Sequence, residues 1–145
     1  MFNLILRLGD ISMGKTITDM VDSVLRLEHV LNDIDDIFEK VQKQYKMSKE
    51  EILILLTLWQ EGSMTLKEMD DFVQIKSYKR TRTYNDLVEK EWIIKERPVN
   101  DERTVIIHFN EDLEAQREAL LDYFKEEIDE KSSSIQSSLK SILNL

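Results

Sequence analysis

The chain has 145 residues, 41% of them apolar, and no cysteine; it suits a single domain and excludes a disulfide framework, a cysteine zinc ribbon and a thiol switch. Its formal charge of −9 is unevenly placed: residues 76–103 hold eight Lys/Arg against six Asp/Glu, a balance of +2, and the remainder carries −11. The longest apolar run, ILILLTLW at 52–59, is far short of the roughly 20 residues that a membrane span needs, so no membrane partner is expected.

Residues 1–12 are apolar, but they have no basic stretch ahead of them and no small-residue cleavage site. They are expected to form a loosely attached tail, and Met13 is an alternative start because helical periodicity begins just after it. From Ile17 the apolar positions are Ile17, Met20, Val24, Leu27, Leu31, Ile34, Phe38, Val41 and Tyr45, in steps that alternate between three and four. Such a seam repeats about every 3.5 residues and predicts one long helix with a narrow apolar stripe. Packing against its own chain is one way to bury that stripe. The more economical way is the terminal helices of a second copy, with Ile17, Met20, Val24, Leu27, Leu31, Ile34, Leu139 and Ile142 as the dimer interface.

Ser48-Lys49-Glu50-Glu51 has the register of a capping box, and Gly62 follows the apolar run, which predicts a central helix of about thirteen residues. Thr65-Leu66-Lys67-Glu68 is a second capping box. It opens a short helix to about Val73, with Leu66, Met69, Phe72 and Val73 inward. A third helix is predicted from Ser77 to Glu91, with Tyr84, Leu87 and Val88 inward. Two short helices joined by a tight turn, the second one basic, make a helix-turn-helix.

The outer face of that second helix carries Tyr78, Lys79, Arg82 and Thr83, and Lys76 and Arg80 complete a basic island free of acid until Asp86. Cations in the first half of a helix oppose its dipole, so helix stability does not explain them. An outward Arg can bind guanine through two hydrogen bonds, and Lys, Tyr and Thr can meet phosphate. These six residues are the expected DNA contacts of a recognition helix.

The apolar period then changes to two. Trp92–Arg97 and Thr104–Phe109 read as strands, with a polar turn, Pro98–Arg103, between them. This hairpin is the expected wing. Arg103 at its tip is placed to enter a narrow minor groove, Asp101 or Glu102 to orient it, and Lys95 and Arg97 to meet phosphates along the flank. Asn110-Glu111-Asp112 caps a further helix with Leu113, Leu120, Leu121, Phe124 and Ile128. Ser132 to Ser134 is expected to interrupt it before a last helical piece with Ile135, Leu139, Ile142 and Leu143.

The fold class is therefore mainly α with a two-stranded β wing, a winged helix-turn-helix. Residues 13–145 form a single domain, with dimerisation helices at about 16–45 and 111–143 and a DNA-binding lobe at about 48–109. Nothing points to an enzyme. His29 and His108 lie far apart, glycines occur only at positions 9, 14 and 62, and no residue is marked as a nucleophile. No catalytic residue, metal, nucleotide or other cofactor is expected. A protein–protein adaptor that presents the same basic helix to an acidic partner is the alternative to DNA binding.

The stretch RTYNDLVEKEWIIKERPVNDERTVIIHFNED, Arg82 to Asp112, resembles the MarR-family winged helix, and in particular the staphylococcal accessory regulator (SarA) branch. The wing of that branch carries the triplet present here as Asp101-Glu102-Arg103. The segments YKMSKEEILILLTLWQEGSMTLKEMD and YKRTRTYNDLVEKEWIIKERP extend the likeness, which covers about residues 13–145. The resemblance implies a cytoplasmic homodimer on double-stranded, A·T-rich promoter DNA, with the basic helix in the major groove and the wing arginine in the minor groove. It also implies repression of toxin and exoenzyme genes and activation of some surface-protein genes. One departure is Glu91, where a glycine is common before the wing; it implies a different helix-to-strand turn.

Overall fold

The computed structural model describes residues 16–101 and 103–143; the tail at 1–12, Met13 and Glu102 lie outside them. The elements are α1 (Ile17–Tyr45), α2 (Lys49–Glu61), β1 (Met64–Thr65), α3 (Leu66–Met69), α4 (Ser77–Glu89), β2 (Ile93–Glu96), β3 (Ile106–Phe109), a 3-10 turn (Glu111–Leu113) and α5 (Glu114–Leu143). They divide into two compact units, one of α1 up to Phe38 with α5 from Lys125, the other running Glu39–Phe124. No helix among the described residues is long and apolar enough to cross a membrane.

Both capping boxes form. The Ser48 hydroxyl accepts from the Glu51 amide at 3.2 Å, and the Glu51 carboxylate accepts from the Ser48 amide at 3.1 Å. Thr65 and Glu68 repeat the exchange at 3.0 and 3.1 Å. With its ends satisfied, α2 can be apolar on most faces, and Ile52, Ile54, Leu55 and Leu58 are all buried. Burying each such side chain contributes about 1.5–3 kcal/mol, and with Met69, Leu87, Ile93 and Ile107 they form the core of the Glu39–Phe124 unit.

The hairpin has the expected antiparallel pairing, with Ile93 opposite Phe109 and Glu96 opposite Ile106. It belongs to a three-stranded sheet, because β1 pairs with the outer edge of β3 in the order β1-β3-β2. Two residues are too few for a period to show in sequence. The strands are also shorter than the apolar runs, starting at Ile93 and Ile106 rather than Trp92 and Thr104.

An aromatic chain joins the base of this hairpin to its surroundings. Tyr123 meets Tyr45 edge-on at 6.2 Å, Tyr45 meets Trp92 at 6.5 Å, and Trp92 meets Trp59 at 6.3 Å. Trp59 then meets Phe109 at 5.5 Å, and the Arg117 guanidinium lies 4.9 Å from the Phe109 ring centre. Edge-to-face pairs of this kind are worth about 0.5–1.5 kcal/mol each beyond the area they bury. Tyr45, Arg117 and Tyr123 of this chain of contacts lie within the Glu39–Phe124 unit and outside the lobe expected at 48–109.

Three local expectations are corrected. The helix opened by Thr65 lasts one turn rather than reaching Val73, and the Phe72 and Val73 amides both bond the Met69 carbonyl. Val73 stays buried, but Phe72 is turned outward and is 55% exposed. Likewise Val88, expected inward, is 37% exposed, while Thr83 takes an inward place on α4. The serine run does not interrupt α5, which is continuous from Glu114 to Leu143. The Ser132 hydroxyl donates to the Asp129 carbonyl at 2.9 Å, sharing an acceptor of the helix ladder without breaking it, and the Ser134 hydroxyl is drawn away from the ladder to the Asp33 carboxylate at 2.7 Å.

Candidate nucleic-acid interface

Helix α4 is held from three sides. The Arg80 guanidinium forks onto the Asp70 carboxylate, Nε to Oδ1 at 3.1 Å and Nη2 to Oδ2 at 3.0 Å, which spans the turn of the helix-turn-helix. Below it Tyr84 and Leu87 are fully buried. At its far end the Lys90 ammonium donates to the Lys46 carbonyl at 2.7 Å and to the Glu51 carboxylate at 2.9 Å. Glu51 is buried while the Lys90 side chain is 35% exposed, so the pair is partly solvated and breaking it costs less than the roughly 3–5 kcal/mol of a fully buried pair.

The end of α4 is also the start of the wing. The Trp92 amide bonds the Leu87 carbonyl and the Glu91 amide bonds the Val88 carbonyl, the paired pattern of a Schellman stop. That stop requires a left-handed residue, and Glu91 adopts φ 69°. The turn usual for a glycine is thus retained by a residue with a side chain, contrary to the expectation of a different turn. The Asn110 amide group donates to the Glu91 carbonyl at 2.8 Å, so the strained residue is tied to the chain beyond β3.

On the outer face the expected residues separate into groups. Tyr78 is 74% exposed, with the Lys79 ammonium 5.8 Å from its ring centre. The Arg82 side chain is 86% exposed, and its contact with Asp86 is long, 3.8 Å. Lys76 occupies the N-cap position of α4, where no side chain caps the helix, unlike α2 and α3. The first-turn amides of α4 therefore share the exposed end with the basic island.

Two expected contacts are placed differently. Thr83 is buried rather than outward, and its hydroxyl donates to the Lys79 carbonyl at 2.8 Å. Arg80 is braced by Asp70 as described, so part of its hydrogen-bonding capacity is spent within the protein.

In the wing, the Lys95 ammonium donates to the Asn85 side-chain oxygen at 3.0 Å, linking β2 to α4. Burial, and then the neighbouring Arg97, lowers the Lys95 pKa from its ordinary value. Asp101 does not hold the Arg103 guanidinium as its sequence position suggested. It accepts from the Arg103 backbone amide at 3.0 Å and from the Thr104 hydroxyl. Those bonds hold the Asp101 carboxyl below its usual range, and they shape the turn that presents Arg103. Arg97 and Arg103 are both exposed; Glu102 lies outside the described residues.

The seam of α1 is exposed along its first half. Ile17, Met20, Val24, Leu27 and Leu31 are each about half exposed or more, and Ile34 is 37% exposed. The buried positions of α1 up to Phe38 are Val30, Asp33 and Ile37, on a neighbouring stripe. Leu139 is 38% exposed and Ile142 is half-buried. Sequence reasoning missed Asp70, Asn85 and Asn110 as supports. Their partners lie in other elements, and no periodicity signals them.

A family model described as transcriptional regulator SarA/Rot matches residues 36–120. The HTH-type transcriptional regulator rot of Staphylococcus aureus (strain MRSA252) is 59% identical to this chain over 132 residues, covering 91% of this chain and 80% of that relative. Among solved structures, overoxidized AbfR bound to DNA is similar with a TM-score of 0.60 and 24% identity, covering 83% of this chain and 88% of that one. A MarR-like transcription regulator from Bacillus cereus ATCC 10987 is similar with a TM-score of 0.67 and 14% identity, covering 81% of this chain and 85% of that one. These likenesses to solved structures show the winged-helix fold.

Proposed function

The chain belongs to the SarA/Rot family of transcriptional regulators, a non-enzymatic class, and from that premise we propose that it acts as a homodimer on A·T-rich promoter DNA. The observation that carries this reading is the exposed edge of α4, where Tyr78, Lys79 and Arg82 stand outward on a helix braced by Asp70, Glu51 and Lys90. Arg82 reads a base edge in the major groove, and Lys76, Lys79, Lys95 and Arg97 meet phosphates. Arg103, presented by the Asp101 turn, enters the adjacent minor groove. Residues 111–143 and 16–45 serve as dimerisation helices, and two copies give the two-fold symmetry of a palindromic site.

The regulated genes follow from the family resemblance: repression of toxin and exoenzyme genes, activation of some surface-protein genes, all in the cytoplasm. Salt separates DNA binding from an adaptor role. A dimer that neutralises about eight phosphates loses about 10³–10⁵-fold in affinity between 50 and 200 mM salt. Gel shifts on A·T-rich duplex across that range test it; no binding at low salt favours the adaptor.

A further inference from the structure

Between α3 and the wing lies a notch of about 330 Å³. Lys67, Arg80 and Arg103 line it together with Thr65 and Thr104, and no carboxylate is among the described residues that line it. Its walls are joined: the Leu66 amide donates to the Val105 carbonyl at 3.0 Å, linking the first residue of α3 to the second arm of the wing. Arg80 is set into the wall by its fork onto Asp70, which uses Nε and one Nη2 hydrogen and leaves three N–H directions of a planar guanidinium. Three cations around one concave surface repel one another, and an anion seated among them relieves that repulsion.

The position of the notch says which anion. A major and a minor groove that adjoin are divided by a sugar–phosphate strand. If α4 occupies the first and the wing the second, that strand has to cross the surface between them, and this notch, lined by Arg80 of α4 and Arg103 of the wing, lies on that surface. We propose that the notch seats a phosphodiester of the dividing strand, with Lys67 and Arg80 as its phosphate ligands and Thr65 and Thr104 on its rim. The proposal rests on the DNA-binding reading above. It assigns Lys67, on the first helix of the helix-turn-helix, a contact outside the basic island. It makes Arg80 a positioning residue that fixes register, in contrast to Arg82, which reads a base. Phosphate contacts of this kind set orientation and carry no sequence information directly.

The test uses the full chain and a 30-base-pair A·T-rich duplex selected for binding from a random pool. Lys67→Ala is expected to flatten the dependence of log affinity on log salt by about 1.8 per dimer, one phosphate lost per protomer. Its ranking of duplex sequences stays as in the wild type. Thermal melting checks that this exposed substitution leaves the fold intact. Duplexes with single neutral methylphosphonates then locate the contact. One linkage per half-site, between the major-groove and minor-groove contacts, weakens the wild type but not Lys67→Ala. A wild type that binds with an unchanged salt slope and methylphosphonate pattern in Lys67→Ala overturns the notch and spares the DNA reading. A wild type that binds no duplex at low salt overturns both. Changed sequence ranking in Lys67→Ala also overturns the phosphate assignment.

Discussion

Tyr84 buries a hydroxyl that has no hydrogen-bond partner among the described residues and feels the charges of the Asp70–Arg80 fork. Burial, helped by the Asp70 charge and opposed by Arg80, pushes its pKa up to about 12. The folded protein therefore keeps the phenol neutral, while the unfolded chain ionises near 10. Stability from this group is complete below pH 10 and is lost as pH rises towards 12. Tyr84→Phe keeps the ring and removes the orphan. It is expected to leave stability at pH 7 unchanged or raise it by about 1–2 kcal/mol, and to lose this alkaline arm, in urea unfolding at several pH values. A marked loss at pH 7 would show that the hydroxyl has a partner. Arg82 is the opposite kind of residue, exposed and held only by a long ion pair. For Arg82→Ala, calorimetry should show stability changed by no more than about 0.5 kcal/mol. Fluorescence titration should show specific affinity lowered by about 1–3 kcal/mol with relaxed base preference. A loss equal on all sequences would assign it to phosphate.

Among the elements, the junction of α4 and β2 holds a left-handed residue, as does Lys46 at the end of α1. Glu91 sits at φ 69°, where a side chain costs about 1–2 kcal/mol, while glycine loses some of that advantage through its freer unfolded chain. Glu91→Gly is therefore expected to stabilise the protein by about 1 kcal/mol, read as a higher urea midpoint at constant m-value. A destabilised variant would mean that the carboxylate makes a contact worth more than the strain. The helices were the most legible elements because their signals are local. Ser48–Glu51 and Thr65–Glu68 place helix starts within a few residues, and both boxes form. The length of α3, the two-residue β1 and the continuity of α5 were not legible. The last two depend on groups distant in sequence, the β3 edge and Asp33 receiving Ser134, whereas α3 ends in a local turn of the Phe72 and Val73 amides onto the Met69 carbonyl.

For the whole molecule, the exposed apolar seam and the distribution of charge lead to linked expectations. Replacing Leu27 and Leu31, each about half exposed, by Lys should leave the fold of one chain intact yet prevent association. Light scattering should give a dimer at micromolar concentration for the wild type and a monomer for the double variant; a monomeric wild type would sink the proposed dimer. Residues 16–38 and 125–143 carry ten Asp/Glu against four Lys/Arg. Two copies meeting there repel, and salt screens that repulsion over a Debye length of about 8 Å at physiological ionic strength. Dimerisation should therefore strengthen as salt rises from 50 to about 500 mM while DNA affinity falls, as sedimentation equilibrium and gel shifts run in parallel would show. Dimerisation that weakens with salt would place attractive charge pairs at the interface.

The sequence by itself determined the order of elements, the starts of α2 and α3, the antiparallel hairpin and the basic island from Lys76 to Arg82. Those features follow from caps, periodicity and charge, which act between residues a few positions apart. It also identified the narrow apolar seam on α1. Only the tertiary structure decided which of the island's residues stand free of the protein's own bracing. Arg80 is forked onto Asp70, ten residues away across a turn, and Thr83 is folded inward, whereas Arg82 stands out. The same holds for Asp101, which shapes the wing turn instead of holding a guanidinium, and for Lys67, which the fold brings to one notch with Arg80 and Arg103. Side-chain direction depends on what packs beneath each residue, and that is set by contacts between elements that no local pattern encodes.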